Sequence, residues 1–182
     1  MRMLARQYWT ADMVRELPED RNRYEVVYGE LLVSPGPREL HDRVLMRLNF
    51  AVYGYVKRER VGAVYGDKCD ISWRPDSLVQ PDLLVADLEQ ARTGTWVAMQ
   101  RLLLAVEILS PSSIRADRYV KRALYQRYDV ETYWIVDADE KLVEIWTPDA
   151  TFPATVEETL RWRPAGAATE LAIDLAELFS PL

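Results

Sequence analysis

Leu102-Leu103-Leu104-Ala105-Val106-Glu107-Ile108-Leu109 is an apolar run broken by one carboxylate. A half-exposed strand would alternate polar and apolar residues, whereas this run is apolar on both faces, as a central strand of a covered sheet should be. Asp82-Leu83-Leu84-Val85-Ala86 reads the same way and opens on a second carboxylate. Two such strands require layers above and below them, so the chain is expected to be α/β or α+β, a mixed sheet flanked by helices.

The flanking sequence supplies those layers. Thr10 suits the N-cap of a short helix over 11–17 that stops at Pro18. Arg23-Tyr24-Glu25-Val26-Val27-Tyr28, then Gly29-Glu30, then Leu31-Leu32-Val33 read as an N-terminal hairpin, closed by Ser34-Pro35-Gly36-Pro37. From Glu39 to Arg60 there is no proline, and Leu40, Val44, Leu48, Ala51 and Tyr55 recur at helical spacing, which predicts the long helix of the protein. Residues 61–65 and 68–73 are expected to pair as short strands around Gly66-Asp67. A helix capped by Ser112 or Ser113 should run to about Tyr128, followed by strands over 131–137 and 141–146. Beyond them only short strands near 155–160 and a helical turn over 174–179 are expected.

The 182 residues suit one domain, with a core over about 10–147 and a C-terminal extension over 148–182. A chain of this length buries about 70% of its unfolded surface and needs no disulfide or metal merely to fold. The one cysteine, Cys69, reads as a small buried apolar residue and fits a reducing compartment. No apolar run approaches the roughly 20 residues of a membrane span. Residues 1–9 lack the apolar stretch of a signal peptide, so a cytoplasmic protein without a membrane partner is expected. The net charge is −6, but residues 137–182 account for −7 and residues 1–136 for +1. The acidity belongs to the end of the chain, and charge neither predicts nor excludes a nucleic-acid partner.

Three features carry possible chemistry. Asp82 and Glu107 lie on apolar strands, where an unpaired charge is costly. Neighbouring strand ends lie about 5 Å apart, so the two carboxylates could share a cation. An oxygen-only set suits Mg²⁺ or Mn²⁺ better than Zn²⁺. The plainer explanation is that Asp82 ends the loop after Pro81 and Glu107 pairs with an arginine. The helix after Glu107 carries Arg115, Arg118 and Arg122 on one face and Lys121, Tyr125 and Tyr128 on another, with Asp117 and Lys121 spaced to pair on the surface. The arginines alone read as a solvated basic face. The sole histidine, His41, falls in the first turn of the long helix, where the helix dipole disfavours its charged form. A lone histidine there is more often a packing or capping residue.

Taken in order, Arg23 to Leu31, His41, Gln80-Pro81-Asp82-Leu83, Val106 to Ser112, Asp117…Lys121…Tyr125 and Tyr133-Trp134-Ile135-Val136-Asp137 resemble the Uma family-two proteins. This group is assigned to the PD-(D/E)XK nuclease superfamily, and the resemblance covers roughly residues 10–147. It implies a restriction-endonuclease-like core with a metal site at the strand ends. By motif, Asp82 and Glu107 would be the acidic ligands and the backbone carbonyl of Ile108 a third. The superfamily's lysine two residues after the glutamate is Leu109 here, a departure this family shares, and the resemblance points instead to Lys121. Glu25 or Glu30 would supply a further acid, and His41 a further site residue. Arg115 and Arg118 would contact phosphate.

The resulting expectation is a metal-dependent endonuclease acting on DNA, with which a homodimer is compatible. The alternative is a nuclease-fold binding or regulatory module without turnover, which the missing lysine at 109 and the acidic C-terminus keep open. A small-molecule hydrolase is disfavoured because no nucleophile stands beside a base.

Overall fold

The computed structural model describes residues 7–66 and 68–181; Asp67, expected in a strand turn, and most of the segment read for a signal peptide lie outside the described residues. The chain runs α1 (Ala11–Arg15), β1 (Asn22–Val27), β2 (Glu30–Pro35), α2 (Glu39–Glu59), β3 (Gly62–Tyr65), β4 (Ile71–Arg74), β5 (Ser77–Val79), β6 (Leu83–Asp87) and α3 (Leu88–Ala91). It continues through β7 (Leu102–Ile108), a π-helical segment (Ala116–Lys121), α4 (Arg122–Arg127), β8 (Tyr133–Asp137), β9 (Leu142–Trp146), β10 (Ala154–Val156), β11 (Thr159–Trp162), β12 (Leu171–Asp174) and α5 (Leu175–Leu178).

The main sheet has six strands in the order β10-β9-β8-β7-β6-β3. It is mixed: β7 pairs parallel with β8 and antiparallel with β6. Every residue of β7 is buried, as its unbroken apolar run requires. The pairing of Leu83 with Val106, extended by one residue, sets Asp82 opposite Glu107 at one end of the two strands.

The two faces of the sheet carry separate cores. On one, Leu83, Val85, Val106 and Trp134 pack against Val44, Leu48 and Val52 of α2. On the other, Leu84, Ala105, Tyr133 and Ile135 pack against Leu124 and Tyr125 of α4 and against Ile71, Val79 and Val27. Those last residues belong to a second sheet, of order β2-β1-β5-β4. Its β1–β2 hairpin turns at Tyr28 and Gly29, both at positive φ (51° and 80°) as a two-residue turn matching strand twist requires. Thr10 caps α1, accepting from the Met13 N–H.

Two expectations are corrected. Residues 61–65 and 68–73 do not pair with each other: β3 joins the main sheet through β6, and β4 pairs with β5, a short strand not anticipated. Residues beyond 147 are also more ordered than expected. β10 extends the main sheet, and β11 and β12 pair over Thr159–Asp174 through Trp162–Leu171. Leu160, Trp162, Leu175 and Phe179 complete the core over α2.

This C-terminal segment is pinned from two sides. The Trp162 indole stands edge-on to Trp134 at 5.9 Å and donates to Thr132 Oγ1. Near the end of α2, Glu59 accepts from the Ala168 and Thr169 amides and the Thr169 hydroxyl, which hold its carboxyl low, at about 2. Trp162→Ala is expected to cost about 3–5 kcal/mol in urea unfolding, as large-to-small core changes do. Because Glu59 titrates lower folded than unfolded, its contribution is complete above about 4.5 and lost as pH falls through about 2. Glu59→Gln should therefore lower the melting temperature at pH 7, with the difference from wild type closing in acid.

Candidate active site

Period-two alternation puts Arg23 and Glu25 of β1 on one face, turned toward the ends of β6 and β7. Asp82 and Glu107 stand at those ends, the helical segment after β7 brings Asp117 and Lys121, and His41 arrives from the first turn of α2. Glu25, Asp82, Glu107, Asp117 and Lys121 are each 3% exposed or less. Together with Arg23 and Ile108 they form or line the inner part of a cleft of about 460 Å³.

Lys121 is the hub. Its Nζ lies 2.7 Å from Glu25 Oε2, 3.1 Å from Glu107 Oε1 and 3.2 Å from Asp117 Oδ1. Burial opposes its charge, but Glu107, Glu25 and Asp117 outweigh that penalty and hold the ammonium well above its ordinary pKa. Glu25 Oε1 is fixed by the backbone N–H of Gln80, and Tyr125 donates its hydroxyl to Glu107 Oε1. Burial pushes the Glu107 carboxyl well above the carboxylate range against the pull of Lys121, and Asp117, Asp82 and Glu25 push it further.

Asp82 is the ionised counterpart. Its Oδ1 accepts from Arg23 Nη1 at 2.7 Å, and its Oδ2 meets the Ile108 N–H at 2.8 Å and His41 Nε2 at 3.1 Å. Burial opposes ionisation, yet His41, Arg23 and the Ile108 amide outweigh it and hold the carboxyl well below its ordinary value. Against the helix dipole, the environment of His41 raises its pKa for the same reason: burial lowers it, but the hydrogen bond and charge of Asp82 more than compensate.

Of the residues expected at the site, Asp82, Glu107, Lys121, His41, Glu25 and Ile108 are brought together, Ile108 through its backbone. Glu30 is not among them: it lies at the start of β2, partly exposed, 3.9 Å from Arg115. Arg115 is largely exposed, and Arg118 is held by Asp137 at 3.1 Å and Glu144 at 2.7 Å. Neither arginine lines the cleft. Asp117 and Lys121 pair, but buried inside the site and not on the surface. Arg23, Gln80 and Tyr125 have no site role in the sequence reading and Asp117 only a surface pairing, although Arg23 stands two residues before Glu25 and so had to share its face.

Among the described residues, no three of histidine, cysteine, aspartate and glutamate already converge as a metal cage. The donor chemistry nevertheless fits a hard divalent cation. Four buried carboxylates face only two permanent cations, Arg23 and Lys121, and the available donors are oxygens.

A mixed sheet with acids and a lysine gathered at its strand ends is the layout of a restriction-endonuclease-like protein. A crystal structure from Anabaena variabilis, described as "a putative nuclease belonging to DUF820", superposes with a TM-score of 0.79 at 20% identity, covering 94% of this chain and 97% of that one. The chain belongs to the Uma2 family, described as "Putative restriction endonuclease", which it matches over residues 11–176. That match includes most of the segment beyond 147, where the resemblance seen in the sequence stopped. Among curated proteins nothing matches. No helix of the described residues is long and apolar enough to cross a membrane.

The upward shift of the Glu107 carboxyl has a consequence for folding that is independent of any reaction. With its pKa raised in the folded chain, the native state holds a proton that the unfolded chain releases above about 4.5, so this group makes stability fall as pH rises toward the folded pKa. Glu107→Gln keeps an oxygen for Lys121 and Tyr125 without the ionisation. Chemical denaturation of the metal-free protein from pH 5 to 8 should show a weaker decline in the variant than in wild type.

Proposed function

We propose that this cleft is the active site of an endonuclease that hydrolyses phosphodiester bonds in DNA with Mg²⁺ or Mn²⁺. The observation that carries the reading is the position of Lys121, a buried ammonium within 3.2 Å of Glu25, Glu107 and Asp117 at the strand ends that also present Asp82. With leucine at 109, Lys121 is the lysine that stands beside these carboxylates.

Asp82, Glu107 and the Ile108 backbone carbonyl would hold the cation, which supplies a more acidic water and charge relief on phosphate. The Ile108 N–H and His41 fix Asp82 Oδ2, leaving Oδ1 in contact with Arg23. The Arg23 side chain is 20% exposed and lines the cleft, so it can exchange Asp82 for a phosphate oxygen. Lys121, held at three points, keeps its Nζ where it can orient a water or stabilise charge developing on the phosphorus oxygens. Glu25 and Asp117 hold Lys121.

The second reading, a binding module without turnover, is favoured by one observation: Arg23 and His41 already neutralise Asp82. Mn²⁺ titration and cleavage assays separate the two. Wild-type protein should cut DNA only with added divalent cation, and Asp82→Ala should lower the rate by about 10³-fold, the several kcal/mol such a cation supplies. Lys121→Met should abolish cleavage while retaining Mn²⁺ binding. Full activity of Lys121→Met would remove Lys121 from the mechanism, and a wild-type chain that neither binds Mn²⁺ nor cuts would support the binding module.

A further inference from the structure

α2 is apolar on two faces. Val44, Leu48, Val52, Tyr55 and Val56 pack inward, as the core-facing stripe of an amphipathic helix should. The outward face is not the purely charged surface that normally accompanies such a stripe. Met46, Phe50 and Tyr53 are 66%, 85% and 52% exposed and follow one another at steps of four and three residues, so they form one continuous strip. Single exposed apolar residues are ordinary, but a contiguous strip of a thioether and two aromatic rings has the composition of a protein interface. Arg47 holds the carbonyls of Glu177, Leu178 and Ser180, so the C-terminal segment borders the strip without covering it.

The charges at its ends identify the occupant. Asp42 lies one turn before Met46 and Lys57 one turn after Tyr53, both exposed on the same face. The Lys57 ammonium stands 5.7 Å from the centre of the Tyr53 ring, over the strip itself. Asp42 comes as many residues before Asn49 as Lys57 comes after Phe50, and Met46 and Tyr53 match in the same way. A second α2 laid antiparallel, about a two-fold axis between Asn49 and Phe50, therefore meets Asp42 with Lys57, Met46 with Tyr53, and Phe50 with Phe50 beside the axis. A parallel pair would set Asp42 against Asp42 and Lys57 against Lys57, and would align the two helix dipoles. The strip is complementary to itself in one orientation, as an isologous two-fold interface requires.

Gly54 points the same way. Glycine weakens a helix interior, and a Cβ at Gly54 would meet nothing within 4 Å, so packing inside the chain gives no reason for it. It lies one turn beyond Phe50 at the edge of the strip. A second helix at about 8–10 Å between axes supplies the reason, since the missing side chain makes room for the rings and thioethers of the seam.

We infer that the outer face of α2 pairs antiparallel with α2 of a second copy of this chain, through Met46, Phe50 and Tyr53, with Asp42–Lys57 ion pairs at both ends. One helix pair is small beside the roughly 800 Å² per partner of stable complexes, so the homodimer is reversible. His41 reaches the cleft from the first turn of α2, and the pairing sets the two clefts at opposite ends of the helix pair. The inference is independent of the nuclease reading.

Sedimentation velocity of the full chain without metal, across the micromolar range, should show a dimer that dissociates on dilution. Phe50→Glu brings two carboxylates together at the axis and should raise the dissociation constant by about tenfold or more. Phe152→Glu, at a residue 81% exposed outside α2, should leave that constant unchanged. Circular dichroism checks that both variants fold, and Met46→Lys replaces Phe50→Glu if that variant does not. At low ionic strength Asp42→Lys should weaken the dimer severalfold, and Asp42→Lys combined with Lys57→Asp should restore it. A wild-type chain monomeric throughout overturns the inference, as does a dimer indifferent to Phe50→Glu and Met46→Lys or weakened equally by Phe152→Glu. A double variant that stays as weak as Asp42→Lys overturns the antiparallel register.

Discussion

A lysine ammonium 3% exposed at the end of a sheet is the constraint around which the rest of the structure is arranged. Removing such a charge from water costs several kcal/mol, recovered only if opposite charges meet it in good geometry. Lys121 draws those charges from three parts of the chain: Glu25 from the N-terminal hairpin, Glu107 from the central strand, and Asp117 from its own helix. The contact with Glu25 joins the small sheet to the large one. The hairpin is therefore part of the site and not a decoration on it, and its register is fixed by a buried ion pair as well as by Val26 and Val27.

The helical irregularity after β7 has a geometric role in this arrangement. Asp117, Lys121 and Tyr125 must face the same strand end, at steps of four residues. In an α-helix four residues overshoot a turn of 3.6, so two successive steps would carry the third side chain away from the first. A π turn is wider, closing its hydrogen bond at i→i+5, and four residues fall short of it. Here the Arg122 N–H bonds to the Asp117 carbonyl, which also accepts from the Tyr133 hydroxyl. The step from Asp117 to Lys121 is made in the π segment and the step from Lys121 to Tyr125 largely in α4, so the two errors oppose each other. The same local change of phase separates Arg118 from the cleft and leaves it with Asp137 and Glu144.

These features set how far the sequence could be read. The central strands, the long helix and the place of His41 were legible because apolar periodicity is a local signal and α2 buries residues that carry it, Val44, Leu48 and Tyr55. Asp82 and Glu107 stood out because a carboxylate on an apolar strand is anomalous. The pairing of β3 with β6 was not legible, since four-residue strands contain too little pattern to choose among partners. Placing the Asp117–Lys121 pairing on the surface followed from treating residues 113–128 as a regular helix, and no residue type there announces a π turn. The choice between Glu25 and Glu30 turned on which face of β1 meets the strand ends, a property of two sheets packed together and not of either segment alone.

Leu109 completes the argument about Lys121. One residue past the end of β7 and two after Glu107, it packs on the face of the sheet that carries Ala105. It is 5% exposed and packs in the core that includes Leu124 and Tyr125. A lysine at 109 would have to bury its stem among these groups and compete with Tyr125 for Glu107. Supplying the ammonium from the helix lets the strand end in an apolar residue that seals the core, and the charge approaches Glu107 from the layer that already carries Asp117. Lys121 stands beside Glu107 from the helix, where a lysine at 109 would have to reach the same carboxylate through the packed core.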